Sequence, residues 1–508
     1  MELVFDIETN GLLWEFTTKN IETGEMELHP PATKIWCIVA IDQADNVYSF
    51  NSSQIDEGIE FLKSADTLVG HNIIGFDIPA IEKLKHVSLY KHANILDTLT
   101  LSRLLHPTRE GGHSLEKWGW KLNCPKSKSP NFTEFSQEML DYCIQDVRLN
   151  KKVLEKLRAD GRGFSKQSIE LEHQTCKVLQ DQQMNGFLFD EKNATLLLSS
   201  LNKRKKEVVH EVHNTFKPKW VDVKKVIPKL KKDGHLSKSG LTKLEYEERV
   251  ESKNITPFMR KELQEFNLGS RKQIGEYLID FGWKPKRFTP TGQPIVDEGT
   301  LNKISHIKEA QLIAEFLLLQ KRAAQVESWI DAVKDDGRVH GSVISTGAIT
   351  GRMAHRSPNM AQVPAVYSPY GKECRSCWIV AEGNKLVGVD ASGLELRMLA
   401  HYMNDKEYIN EVINGDVHTA NQIAAGLETR DTAKTFIYAF IYGAGSKKIG
   451  SIIGGSERDG ERVKEKFLRA TPSLRSLREK VDGITKSNRR WLKGLDGRKI
   501  IIRHPHAA

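Results

Sequence analysis

Short apolar runs alternate with amphipathic stretches over the first third of this chain. Leu3 to Asp6, Ile35 to Ile41 and Thr67 to Val69 read as buried strands, and Ile78 to Leu84 and Phe135 to Lys156 as helices. That alternation predicts an α/β domain with a mixed sheet over residues 1–165. From Gln167 to about Lys334 the apolar spacing turns mostly helical, as in Ser168 to Leu179 and Ile307 to Val326. A lysine-rich run and the segment Phe288 to Ile295, which has the Pro and Gly of a hairpin, interrupt this middle region. Beyond it, strand-like segments at Val339 to Ile344 and Lys385 to Asp390 alternate with helices, the last running through Lys464 to Arg478. A chain of 508 residues is too long for one hydrophobic core, and these shifts in pattern give three expected domains: 1–165, 166–338 and 339–508.

The formal net charge is +9, and residues 461–503 alone carry 14 Lys or Arg against 5 Asp or Glu. Lys217 to Lys243 holds nine lysines against Asp222 and Asp233. Positive charge concentrated on folded sequence suits a polyanion such as nucleic acid, although a solvated helix face is the plainer reading of either run alone. Six scattered cysteines make no disulfide framework in a chain of this size. Cys374 and Cys377 lack the second Cys or His pair of a zinc knuckle, so both are expected as ordinary strand or turn residues. The chain opens on a strand rather than a basic, apolar leader, and no apolar run reaches membrane-spanning length. A cytoplasmic location and no membrane partner are therefore expected.

Asp6 and Glu8 lie two apart at the end of the first strand, so both carboxylates face the same side. His71-Asn72-Ile-Ile-Gly-Phe76-Asp77 places another acid after a short strand and at the start of a helix. Tyr142 and Asp146 share a helix face at i and i+4. Four acids and one phenol converging on a phosphodiester suit hydrolysis assisted by two hard cations. Asp6, Glu8, Asp77 and Asp146 would supply oxygen ligands for two Mg²⁺ or Mn²⁺ ions, and Tyr142 would orient the attacking water. Singly, the residues have plainer readings: Asp77 as a helix N-cap, Asp146 with Tyr142 as a surface pair.

Further on, Asn384 to Val389 reads as a strand that delivers Asp390 to its end, and Ser392 and Glu395 have the spacing of a capping box. Arg430, Lys434 and Tyr438 recur every four residues on a helix that Thr429 can cap. Two permanent cations one turn apart suit a triphosphate, and the Tyr438 hydroxyl is expected within reach of Glu395. A solvated face is again the plainer reading.

Asp6-x-Glu8, Asn72-x-x-x-Phe76-Asp77 and Tyr142-x-x-x-Asp146 resemble the three motifs of the DnaQ-like 3′–5′ proofreading exonucleases. With Asp97-Thr-Leu-Thr-Leu-Ser-Arg-Leu and His113-Ser-Leu-Glu-Lys-Trp between them, they are similar to the exonuclease domain of family A phage DNA polymerases. Leu386 to Glu395 and Arg430 to Gly445 resemble two of that family's three polymerase blocks, in the branch found in short-tailed phages. The resemblance covers essentially the whole chain. It implies an α/β fold in which an RNase H-like exonuclease domain precedes a right-hand polymerase domain with thumb, fingers and part of the palm. It also implies DNA-dependent DNA synthesis with proofreading, on a DNA primer-template with dNTPs and two Mg²⁺ or Mn²⁺ ions per active site, replicating a phage genome in the host cytoplasm.

By the same resemblance Asp390, with the Ala391 carbonyl, holds metal, and Glu395 selects the sugar and so favours deoxynucleotides over the chemistry of a single-subunit RNA polymerase. Arg430, Lys434 and Tyr438 bind the nucleotide; His418 contacts phosphate, with a capping or core histidine as the plainer reading. Arg352 and Gln362 read the minor groove near the primer terminus, and Asn267, Ser270 and Arg271 grip the template-primer backbone. The stretch from Lys217 to about Phe266 is shorter than the insertion by which the best-known member binds host thioredoxin. Thioredoxin is thus a doubtful partner, direct DNA contact by those lysines is the simpler expectation, and a replisome helicase-primase is a candidate partner. The sequence closes at Lys493 to Ala508, where the family continues into a further palm helix and a His-Asp-Glu turn. Primer extension is therefore expected to need a C-terminal polymerase portion on another chain. The alternatives are a stand-alone 3′–5′ exonuclease with a DNA-binding polymerase remnant and a basic DNA-binding protein; the four clustered acids argue against the second.

Overall fold

Leu3, Phe5 and Ile7 alternate with Val4, Asp6 and Glu8 along the first strand, and the two sets face different layers. The computed structural model describes residues 1–19, 26–489 and 491–502. It divides into two units: Met1–Asn185 with Gly341–Asn359 and Lys385–Ala508, and Gly186–His340 with Met360–Asn384. In the first unit the N-terminal strands are β1 (Glu2–Thr9), β2 (Phe16–Lys19), β3 (Met26–His29), β4 (Ile35–Asp42), β5 (Val47–Phe50), β6 (Thr67–Gly70) and β7 (Asn94–Asp97). The helices are α1 (Ile55–Lys63), α2 (Asp77–Lys85), α3 (Thr98–Leu105), α4 (Leu115–Lys121), α5 (Gln137–Asp160) and α6 (Lys166–Asn185).

Five strands form one mixed sheet in the order β5-β4-β1-β6-β7, while β2 and β3 pair separately. β4 runs antiparallel to β1 and β5; β6 runs parallel to β1 and β7. On one face Leu3, Phe5 and Ile7 pack with Ile55, Ile59 and Leu62 of α1 and with Ile78 and Ile81 of α2. On the other, Val4 and Val39 pack with Cys143, Val147 and Leu154 of α5. The α5 helix starts at Ser136, whose side chain accepts from the Met139 N–H, and its i, i+3, i+4 face is buried along the sheet. β6 pairs with Glu2, Leu3 and Val4 only, so the rest of β1 is bonded to β4 alone. Asp6 and Glu8 therefore project toward α5 beyond the end of β6.

A second group of helices also lies in the first unit: Leu394–Met403, Lys406–Asn414, Val417–Ala425, Arg430–Ile441, Ser446–Ile452, Glu457–Ala470 and Pro472–Lys486. Phe436, Ile437, Ile449 and Phe467 are the centre of their shared core. Ser456 and Asp459 form a capping box, and Pro472 opens the next helix, so the predicted helical run through Lys464 to Arg478 is two helices broken at Thr471. In the second unit, Glu191–Thr215 packs on Lys308–Ile330 through Leu201, Val208, Ile313 and Leu319. The lysine-rich run contributes the strand Lys219–Val226, which pairs antiparallel with Phe258–Gln264. The predicted hairpin at Phe288 closes through a Thr289 N–H bond to the Gln293 carbonyl at 2.7 Å.

Four local expectations are corrected. The segment Val339 to Ile344 is two strands, not one: Arg338–Val339 pairs with Phe187–Leu188, and Ser342–Ile344 with Ala354–Arg356. Residues Lys385 to Asp390 form no strand; Val387 and Val389 are 79% and 93% exposed, and among the described residues nothing pairs with them. A strand gains its stability from a partner, and apolar periodicity cannot announce whether one is present. Ser392 does not cap the following helix, because Gly393 takes that place at φ 58°. Cys374 lies in the short helix Gly371–Ser376 rather than in a strand or turn, while Cys377 stands in the turn that follows, as expected; both are buried. Arg490 and Arg503 of the basic tail, and the closing residues to Ala508, lie outside the described residues.

Phe5 is fully buried between β1 and its helical layer. Phe5→Ala is expected to lower the unfolding free energy by about 3–5 kcal/mol, read from urea unfolding followed by circular dichroism.

Candidate functional site

Four carboxylates reach the open end of β1 from three local causes. Asp6 and Glu8 come from the strand's alternation. Asp77 is the first residue of α2 rather than its N-cap, which is Phe76, and its Oδ1 accepts from the Ile7 N–H at 3.1 Å. Asp146 occupies the buried stripe of α5, where an apolar residue would ordinarily stand, with Tyr142 one turn before it. Asp6 and Asp77 lie close enough for each carboxylate to act on the other electrostatically. Ligand atoms of Asp6, Glu8 and Cys143 lie within 4.8 Å of one another. The Cys143 thiol donates toward the Asp6 carbonyl, and burial holds its pKa far up, so it remains a neutral neighbour of the acids.

Crowding in a dry space governs the electrostatics here. Burial, then Asp77, Glu8 and Asp146, holds Asp6 well above the carboxylate range. Burial, then Asp146, pushes Glu8 up to about 8, and burial pushes Asp77 up to about 7 against the hydrogen bond from Ile7. Asp146 is raised by burial and held down by Lys126, whose Nζ lies 2.5 Å from its Oδ2. Burial works against the Lys126 charge, but Asp146 and Tyr142 outweigh it and keep the ammonium charged. Asp146 Oδ1 is buried without a partner. An all-oxygen donor set of mutually repelling acids, one with an orphaned oxygen, fits a hard divalent cation such as Mg²⁺ or Mn²⁺. The residues that would hold it are Asp6, Glu8, Asp77 and Asp146.

A second cluster gathers on the helices between Leu394 and Lys486. The Thr429 side chain accepts from the Thr432 N–H and so starts Arg430–Ile441, which carries Arg430, Lys434 and Tyr438 on one stripe. Arg430 is not a free cation: its Nε and Nη2 meet Asp416 Oδ2 and Oδ1 at 2.7 and 3.1 Å. The same Asp416 caps Val417–Ala425 through the His418 and Thr419 N–H groups, so one carboxylate ties two helix starts together. Its hydrogen bond from Arg430, then that from Thr419, holds Asp416 far below the carboxylate range. His418 stands 6.1 Å from the Tyr438 ring; burial, then Arg430 and Lys434, lowers its pKa. Lys434 is exposed.

Tyr442, not Tyr438, reaches Glu395: its hydroxyl donates to Glu395 Oε1 at 3.0 Å and accepts from Arg352 Nη2 at 2.9 Å. Tyr438 is one turn too early on the stripe and turns half-buried against His418. Asp390 and Ala391 are exposed in irregular backbone, and among the described residues no three ligating side chains gather there. In the second unit Ser270 caps Arg271–Asp280, Asn267 Oδ1 accepts from the Gly269 N–H, and Arg271 donates to the Val296 carbonyl. Gln362 also lies in the second unit, its carbonyl accepting from Gln325, whereas Arg352 lies in the first. Sequence reasoning missed Asp416, Tyr442 and Lys126. Tyr442 continues the four-residue series of 430, 434 and 438, and Asp416 adjoins the His418 motif. Lys126 stands in a loop with no spacing signal.

A family model described as DNA polymerase family A matches residues 238–507. Two curated proteins named DNA-directed DNA polymerase, from Enterobacteria phage T3 and Escherichia phage T7, are each 34% identical to this chain. Both alignments cover 100% of the chain and 86% of the relative. A solved complex of the polymerase domain of Pol1 from M. smegmatis with DNA primer-template and dNTP has the same fold over 98% of this chain and 78% of its own, with a TM-score of 0.71 at 15% identity.

The raised carboxylates set a pH dependence. Asp6, Glu8 and Asp77 bind protons more tightly folded than unfolded, so their contribution is full below about pH 4, the unfolded value, and is lost as pH rises through the folded values near 7 and 8. In chelator, the melting temperature is expected to fall between about pH 5 and 8. Mn²⁺ should restore more stability at pH 8 than at pH 5, and Asp6→Asn should flatten both trends in differential scanning fluorimetry.

Proposed function

Because the chain belongs to the family A DNA polymerases, we propose that it is a DNA-directed DNA polymerase carrying its own 3′–5′ proofreading exonuclease. The nuclease rests on one observation above all, the convergence of Asp6, Glu8, Asp77 and Asp146 at the unpaired end of β1 beside Tyr142. Residues 1–165 then form an RNase H-like exonuclease domain, 166–338 the thumb and connecting helices, and 339–508 fingers with part of the palm. Mg²⁺ or Mn²⁺, when bound, makes hydroxide available at neutral pH and stabilises the leaving 3′ oxygen. The protein's part is to hold the four acids in place: Ile7 fixes Asp77, α5 fixes Asp146, and the β1–β4 ladder fixes Asp6 and Glu8. Tyr142 orients the attacking water from the same helix as Asp146.

For synthesis, Arg430 and Lys434 take the triphosphate, with Asp416 aiming Arg430 along the stripe. Glu395, positioned by Tyr442 and Arg352, lies under the sugar and excludes a 2′-hydroxyl. His418 is neutral at pH 7 and offers a hydrogen bond to phosphate rather than charge. Tyr438 stacks on the base, Arg352 and Gln362 read the minor groove, and Asn267, Ser270 and Arg271 hold the duplex backbone. Asp390 and the Ala391 carbonyl supply metal ligands. Two-metal transfer needs a further carboxylate beside Asp390.

A 5′-labelled primer annealed to template, incubated with Mg²⁺ and the protein of this sequence, should shorten both with and without the four dNTPs. Replacing Asp6 and Glu8 by Ala should slow that shortening by at least about a hundredfold. Lengthening with dNTPs would mean that Asp390 has the second acid that synthesis needs, and no shortening with any divalent cation would overturn the nuclease.

A further inference from the structure

Lys126 belongs to none of the motifs above, yet it is built into the carboxylate site. The loop that carries it is fastened on both sides. Gln145 of α5 donates from Nε2 to the Pro125 carbonyl at 3.1 Å. At the other end, Trp36 Nε1 of β4 donates to the Phe132 carbonyl at 2.8 Å, and the Phe132 ring meets Tyr142 edge-on at 6.1 Å. Gly119 allows the close return of this loop onto α4, since a Cβ there would stand 2.8 Å from the Cys124 carbonyl. Between these anchors Lys126 Nζ lies 2.5 Å from Asp146 Oδ2 and 4.9 Å from the centre of the Tyr142 ring. The Asp146 side chain is 4% exposed.

An ordinary surface lysine holds its partner weakly, because a long stem loses entropy for a solvent-screened contact. Lys126 has its backbone fixed and its partner buried. Among the described residues, no other lysine or arginine ion-pairs with Asp6, Glu8, Asp77 or Asp146. A divalent ion bound at Asp146 needs the same carboxylate, and an ammonium at hydrogen-bond distance both occupies one oxygen and repels the incoming charge.

We propose that Lys126 is a built-in counter-cation that holds Asp146 in place before a divalent ion binds and is displaced from it when the ion arrives. It is a positioning residue that sets the site's metal affinity, and the proposal rests on the metal-dependent reading of these four acids. Its consequence is counter to the usual effect of damaging a site: removing the lysine's charge tightens metal binding. Lys126→Arg keeps the competing cation and should behave as wild type. Lys128, exposed in the same loop, has no partner at the acids, so Lys128→Gln should also be silent.

The test is Mn²⁺ titration of the full chain, with free Mn²⁺ read by electron paramagnetic resonance. Lys126→Gln and Lys126→Met, checked for native circular dichroism, should bind Mn²⁺ at least about tenfold more tightly than wild type. Lys126→Arg and Lys128→Gln should match wild type. Unchanged or weaker binding by a folded Gln or Met variant overturns the proposal. If wild-type binding is itself indifferent to Asp6→Asn and Asp146→Asn, the metal site fails, and the role of Lys126 fails with it.

Discussion

Four carboxylates that share a largely buried space repel one another, and the N-terminal half of the first unit is arranged around containing that repulsion. The early end of the β1–β6 ladder opens the gap into which Asp6 and Glu8 project. Hydrogen bonding from Ile7 to Asp77, the buried stripe of α5 and the anchored Lys126 each fix one edge of the gap. Without a cation the cost appears as acids whose proton affinity rises toward neutrality. A core bearing Leu3, Phe5 and Ile7 on the opposite face of the same strand offsets that cost. One strand thus carries both the apolar layer that stabilises the unit and the charges that strain it.

The stripe of Arg430 and Lys434 meets the same electrostatic problem with the opposite sign. Arg430 and Lys434 stand one turn apart, and Asp416 neutralises the first while capping a neighbouring helix. Glu395 is likewise committed to Tyr442, with Arg352 close by. These pairs are solvent-exposed, so they orient side chains more than they stabilise the fold. Among the described residues nothing bonds to the Asp390 side chain, whose segment is irregular and open to solvent. The proposed hydrolytic centre is organised by residues of this sequence alone, whereas the proposed synthetic centre is organised only on its nucleotide side.

The alternation of Val4, Asp6 and Glu8 with Leu3, Phe5 and Ile7 was legible because period-two burial leaves a direct mark on sequence. So was the stripe of α5, where an acid interrupts an otherwise apolar face. Capping by Thr429 was legible from its position before a helical run. What escaped was pairing between distant segments. The split of Val339 to Ile344, the partnerless stretch before Asp390 and the loop that delivers Lys126 depend on which strand or helix lies alongside, and neither spacing nor composition encodes that. Tyr442 escaped for a different reason: the stripe continued one turn past the point at which Tyr438 already offered a plausible hydroxyl. The spacing of Arg430, Lys434 and Tyr438 marked the helix, but only the structure showed which of its tyrosines meets Glu395.

The account stands most directly on where a divalent ion goes. Crystals of the protein soaked in Mn²⁺ and recorded near the manganese edge would give anomalous peaks that locate the ions without any assumption about activity. The expected result is density within coordination distance of Asp6, Glu8, Asp77 and Asp146, with a pair of peaks about 3.5–4 Å apart at full occupancy and the Lys126 ammonium moved off Asp146. Manganese bound elsewhere, with these carboxylates empty and Lys126 still on Asp146, would contradict it.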